Sequence, residues 1–129
     1  MNYRSSVLSG IVFMTTLLPI YAEGKNMIMW YMPLRVETFA AVTMEDMETS
    51  GAIKYIIKKQ EYVRELMTII TRAKKTKINK VRDGRIRVKL CYENITYYID
   101  AEGNFMNSNR EFGQINTSKF SKIIEKFAK

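Results

Sequence analysis

Residues 85–100 read Arg-Ile-Arg-Val-Lys-Leu-Cys-Tyr-Glu-Asn-Ile-Thr-Tyr-Tyr-Ile-Asp, and the period of this stretch decides the fold class. Ile86, Val88 and Leu90 alternate with Arg85, Arg87 and Lys89, so an extended chain carries an apolar side and a cationic side. Glu93-Asn94 turns the chain, after which Ile95, Tyr97 and Ile99 resume the alternation. Two such runs separated by a short turn predict an antiparallel hairpin. On its cationic side, Tyr92, Thr96 and Tyr98 are placed to flank the three basic residues across the strands.

Working outward, Ala101-Glu102-Gly103-Asn104 supplies a second turn and Phe105-Met106 begins a third strand, cut short by Asn107-Ser108-Asn109. Glu111 to Ile115 supplies a fourth. Asn116-Thr117-Ser118 then offers helix caps, and Phe120, Ile123, Ile124 and Phe127 recur at the i, i+3, i+4, i+7 spacing of one helical stripe. Lys126 and Lys129 fall at the negative end of that helix dipole. Upstream, Val63, Leu66, Met67 and Ile70 repeat the same stripe and predict a helix from about Gln60 to Arg72. Because that stripe needs nothing from Ile53, Tyr55 and Ile57, those residues read as one face of a strand.

Further upstream, Met27 to Met32 is a continuous apolar run ended by Pro33, followed by alternation of Leu34, Val36 and Thr38 with Arg35 and Glu37. This reads as one or two strands with Pro33 at an edge or bend. Thr43-Met44-Glu45-Asp46 has the form of a helix cap followed by an acid, and Ser50-Gly51 ends that short helix. Lys74 to Asp83 is polar and basic and closes on the turn signal Asp83-Gly84. The expected architecture is α+β, with an antiparallel meander over about 85–115, one or two added N-terminal strands, and two amphipathic helices on one face.

The chain opens with a short n-region containing Arg4, then an uncharged, mostly apolar run from Val7 to Ile20, then Ile20-Tyr21-Ala22. That is the form of a cleavable secretory leader cut after Ala22. The apolar run is interrupted by Ser9, Gly10 and Thr15-Thr16 and is shorter than the ~20 residues a membrane span requires. The expected organisation is therefore a leader over 1–22 and one small domain over 23–129, located in the periplasm or secreted. With Cys91 as its only cysteine, the chain has no internal disulfide, and Cys91 reads as a small hydrophobe of the strand.

There is no histidine in the chain, which excludes Ser-His-Asp and Cys-His nucleophile arrangements and the usual zinc sites. Neither a GxGxxG nor a P-loop is present to hold a nucleotide. Glu45, Asp46 and Glu48 form a cluster of carboxylates that a hydrolase could use, but caps and the helix dipole account for acids at a helix start. Asp100 to Asn104 lacks the remaining ligands of a calcium loop and reads as a turn. The expectation is a protein with no cofactor and no catalytic centre.

The formal net charge is +8, and removing the leader with Arg4 as its one charge leaves +7. Arg72, Lys74, Lys75, Lys77, Lys80, Arg82, Arg85, Arg87 and Lys89 concentrate it, with Asp83 the one acid among them. Charge of this sign speaks of partners rather than fold. In the compartment a leader implies, the expected partner is an acidic protein, bound through Arg82, Arg85, Arg87, Lys89 and Tyr98. A neutraliser of a toxin or hydrolase has this size and this lack of catalytic residues. The rival reading is an envelope-associated protein binding anionic lipid or polysaccharide, and nucleic acid is disfavoured by export. The bland account of the same charges is a solvated face that defends strand edges.

Overall fold

Alternation in the strands and 3.6-residue stripes in the helices together produce one antiparallel sheet of seven strands carrying two helices on one of its faces, an α+β fold. The computed structural model describes residues 25–128 apart from 35 and 39; the expected leader over 1–22 lies outside them. In chain order the elements are β1 (Met27–Tyr31), a 3-10 turn (Met47–Thr49), β2 (Ile53–Ile57), α1 (Gln60–Thr71), β3 (Lys74–Thr76), β4 (Ile86–Tyr92), β5 (Ile95–Asp100), β6 (Asn104–Asn107), β7 (Phe112–Gln114) and α2 (Thr117–Phe127). Across the sheet they lie in the order β2-β1-β4-β5-β6-β7-β3. The meander β4 to β7 is as the alternation implies, and β1 and β2 extend it on one side.

Local chemistry sets most boundaries. The β4–β5 hairpin closes through Glu93 and Asn94, both at positive φ (50° and 67°), the handedness that matches the twist of the flanking strands. α2 starts where the Asn116 side-chain oxygen accepts a hydrogen bond from the Lys119 backbone N–H at 3.0 Å. Near the end of α1 the hydroxyls of Thr68 and Thr71 donate to the carbonyls of Arg64 (2.7 Å) and Met67 (3.0 Å), and the helix stops one residue beyond. Gly113 of β7 is required by close approach: a Cβ there would stand 2.5 Å from the Phe105 ring and 2.9 Å from the Lys74 carbonyl.

The core lies between the sheet and the two helices. Met27, Met29, Ile57, Val88, Leu90, Tyr97, Ile99 and Phe105 meet Val63, Leu66 and Ile70 of α1 and Phe120 and Ile124 of α2. Helix burial thus follows the stripes read from the sequence. Phe127 closes the β2 side, with its ring edge-on to Tyr55 at 5.5 Å.

Two expectations are corrected and one is narrowed: of the one or two strands read around Pro33, the described residues form one, β1, and Leu34 beyond Pro33 packs in the main core. The short helix expected after Thr43 is only the three-residue 3-10 turn, with Asp46 before it accepting the Thr43 hydroxyl at 2.8 Å. Within the polar, basic stretch from Lys74 to Asp83, which carries no strand pattern of its own, Lys74–Thr76 is a strand, paired with β7 at the far edge of the sheet. Its partner is some forty residues away in the chain, beyond the reach of local pattern.

The fourth departure bears on function. Ile86 pairs with Asp100 but Val88 pairs with Ile99, so the β4–β5 register shifts between Ile86 and Val88 and Arg87 is the extra residue of a bulge. A one-residue insertion exchanges the faces of everything beyond it. Val88 and Leu90 therefore face the helices, whereas Ile86 joins Val42 and Met47 in a second, smaller core on the opposite face.

Candidate functional site

The helices leave the other face of the sheet uncovered, and the loops close only one end of it. Val42 bridges to Gly84 and Arg85; its N–H donates to the Gly84 carbonyl at 2.9 Å and its carbonyl accepts from Ile86 N–H at 3.0 Å. Met44 N–H donates to Asp83 Oδ1 at 2.8 Å, tying the segment before β2 to the loop before β4. Met47, fully buried, is the apolar anchor of this covering layer. Asp100, 1% exposed, holds its rim: its carboxylate accepts from the N–H groups of Arg82, Glu102 and Asn104 and from Asn104 Nδ2, at 2.9–3.2 Å.

Where that layer ends, the cross-strand register places one residue from every strand in a single row: Lys54, Trp30, Lys89, Tyr98, Met106, Phe112 and Thr76. Directly opposed residues of neighbouring strands share a face, and strands lie ~4.8 Å apart, so the row runs roughly 30 Å across the sheet. All of its members except the exposed Lys54 are half-buried. Aromatic rings occupy alternate strands within it: Trp30, Tyr98 and Phe112.

Lys89 is the charged centre of the row. Its ammonium lies 5.2 Å from the Trp30 ring centroid and 5.8 Å from that of Tyr98, while Lys54 approaches Trp30 from the other side at 5.4 Å. Glu48, from the 3-10 turn, forms a hydrogen-bonded ion pair with the same ammonium. Burial works to lower the Lys89 pKa, but the Glu48 hydrogen bond and the neighbouring Tyr98 outweigh it, and the group is held above the ordinary lysine value. Beside the row lie Ile56, Ile28, Cys91 and Thr96, also in register. Cys91 is half-buried there, with its sulfur 3.8 Å from Thr96 Oγ1.

The five residues singled out from the sequence are thus separated. Lys89 and Tyr98 are brought together as a cross-strand pair on the helix-free face. Arg82 and Arg85 are exposed in the turn entering β4, where Arg85 N–H donates to the Arg82 carbonyl at 3.0 Å. Arg87 does not share an open face with Arg85 and Lys89. The bulge turns it inward, to 3% exposure, where Nη1 and Nη2 donate to the carbonyls of Ile86 (3.0 Å) and Val36 (3.1 Å) and Nε has no partner among the described residues. Burial and the adjacent Arg85 charge lower its pKa, against Glu37 and Asp100, and a guanidinium so placed is still cationic at neutral pH. Tyr92, expected beside the basic residues, packs on the helix side.

Sequence reasoning missed Trp30, Lys54, Met106 and Phe112 as members of this surface. Trp30 sits in an apolar run that reads equally as an exposed or a buried strand, and only the β1–β4 pairing, across more than fifty residues of chain, sets it beside Lys89. Among the described residues no three Cys, Asp or Glu side chains come together as a metal site, and no helix is long and apolar enough to cross a membrane. Comparison with protein-family models, curated proteins and solved structures returned no match. What the geometry defines is a helix-backed antiparallel sheet with one partly open cationic and aromatic face.

Proposed function

We propose that the chain is an exported, non-catalytic binding protein that engages an acidic protein partner through the helix-free face of its sheet. The observation that carries this reading is Lys89, placed in register between Trp30 and Tyr98 with Lys54 next in the row. A lysine among half-buried aromatic rings combines charge, which steers and orients a partner, with apolar area, which supplies affinity. Arg82 and Arg85 extend the positive surface beyond the covering layer and favour encounter with an acidic protein. Arg87, being buried, stands outside the proposed contact surface.

Capture of partners from an envelope fraction at low and high salt, with the bait tagged at its carboxyl end, tests this. An acidic protein retained at high salt, and lost from Lys89→Glu and Tyr98→Ala baits, is the expected result. Retention by both variants counts against the face. The amino terminus of the exported protein, read by mass spectrometry, is expected at Glu23.

One observation favours a second reading, an anionic polysaccharide. Rings on alternate strands recur at about 10 Å, close to the disaccharide repeat of an extended β-linked glycan, and could stack successive sugars. Binding that steepens with oligosaccharide length and vanishes with salt would select it over a protein partner.

A further inference from the structure

We propose that the Lys89 ammonium is a recognition point for a carboxylate, and that Glu48 occupies it as an internal stand-in which the ligand's carboxylate displaces. The inference rests on the reading of the helix-free face as the binding surface and specifies the chemistry of its centre.

The acids of the covering layer have different duties. Asp46 accepts the Thr43 hydroxyl, organising its own loop, and Asp83 accepts Met44 N–H, tying two loops of the layer together. Glu48 instead reaches out of the layer to a lysine on the sheet. Its backbone is held by the neighbouring Met47, which is fully buried, so the turn persists without the ion pair. The Lys89 side chain is 17% exposed, flanked by Trp30 and Tyr98, whereas that of Glu48 is 48% exposed. The lysine is therefore a fixed, partly desolvated half of the pair and the glutamate its open half. An ion pair with one member this open to water is weak. A ligand that brings a carboxylate together with apolar contact to Trp30 and Tyr98 offers Lys89 the same charge and adds burial, so the exchange favours the ligand.

With an acidic protein as the proposed partner, that carboxylate is an aspartate or glutamate of an acidic peptide, and a uronic-acid oligomer serves as the contrasting probe. Trp30 is the only tryptophan of the chain, so its fluorescence reports directly on the site. The protein is titrated at low salt with hexaglutamate and, separately, with hexagalacturonate, as wild type and as Glu48→Gln, Glu45→Gln, Lys89→Met and the Glu48→Gln/Lys89→Met double variant. Glu45 is exposed on the same segment, and its neutralisation removes the same charge without emptying Lys89. Glu48→Gln is expected to tighten binding about threefold to fivefold, more than Glu45→Gln, and Lys89→Met to weaken it tenfold or more. The double variant is expected to bind like Lys89→Met, because Glu48 competes only for that ammonium.

Equal gains from Glu48→Gln and Glu45→Gln, or a loss from Glu48→Gln, overturn the stand-in while leaving the surface reading intact. Wild-type affinity in Lys89→Met overturns both. A Glu48→Gln gain with hexaglutamate supports the site as a receptor for an acidic peptide, and a gain confined to hexagalacturonate overturns the peptide as its ligand.

Discussion

The two faces of the sheet are written by alternate residues of the same strands and are put to opposite uses. In β4, Val88 and Leu90 enter the main core under the helices, while Lys89 between them stands among Trp30, Tyr98 and Glu48. In β5, Tyr97 and Ile99 face the helices and Tyr98 the other way. On the helix face the large side chains of the central strands are mostly buried. The helix-free face keeps a tryptophan, a tyrosine and a phenylalanine only half covered, with Trp30 and Tyr98 packed on one side against the small core of Val42, Met47 and Ile86. Large aromatic side chains left at a partly covered surface with lysines between them mark where another molecule could complete the burial. The main core comes from one set of alternate residues and the proposed contact surface from the other, so stability and binding should be largely separable by mutation.

The largest effect is expected on the helix face. Leu90→Ala removes a fully buried side chain and should cost ~3–4 kcal/mol, measured by denaturant unfolding. Hexaglutamate affinity of the folded fraction should not change. A loss below ~1 kcal/mol would mean the helices do not close tightly over β4.

Next comes the rim of the covering layer. Asp100→Ala leaves the N–H groups of Arg82, Glu102 and Asn104 without their acceptor and should cost ~2–3 kcal/mol. Because those bonds frame the loop before β4, faster hydrogen exchange at these amides should accompany the loss.

Arg87→Met sharpens the comparison most directly. The buried guanidinium finds carbonyls but leaves Nε unpaired, so an apolar side chain of similar length should change stability by no more than ~1 kcal/mol, in either direction. Partner affinity should stay at the wild-type level; a tenfold fall would return Arg87 to the interface.

Lys89→Met should be the mirror image: a stability change under ~1 kcal/mol, as for other open ion pairs, with partner and hexaglutamate affinity reduced tenfold or more. If it unfolds the protein instead, Lys89 belongs to the structure and not to the surface.

The smallest effect concerns the edges. β3 is three residues long with Lys74 and Lys75, a defended edge, whereas β2 exposes Ile53 (56%) and Ile56 (55%) on its two sides. Ile56→Lys should leave stability within ~0.5 kcal/mol and lower any tendency to associate at high concentration, read by sedimentation.

Much of this architecture was legible without coordinates. The period of residues 86–114, the turn residues Glu93-Asn94 and Gly103, and the stripes of Val63-Leu66-Ile70 and Phe120-Ile124 each depend on neighbours within a few positions, so local pattern suffices. The candidate site was legible only in part. Lys89 and Tyr98 could be paired because a tight hairpin joins them, while Arg87 was misplaced because a bulge leaves no signature in an alternating run: Arg-Ile-Arg-Val-Lys reads the same with or without the extra residue.

What the sequence determined by itself was the class of fold, most of the elements and which residues of each helix are buried, since those follow from short-range periodicity and local turn and cap chemistry. The tertiary structure alone decided the rest: that Lys74–Thr76 is a strand, that Trp30 and Phe112 lie in one row with Lys89, that Glu48 reaches its ammonium, and that Arg87 is inside. Each of these depends on which distant strands pair and in what register, and that choice is made by the packing of the whole sheet against its helices.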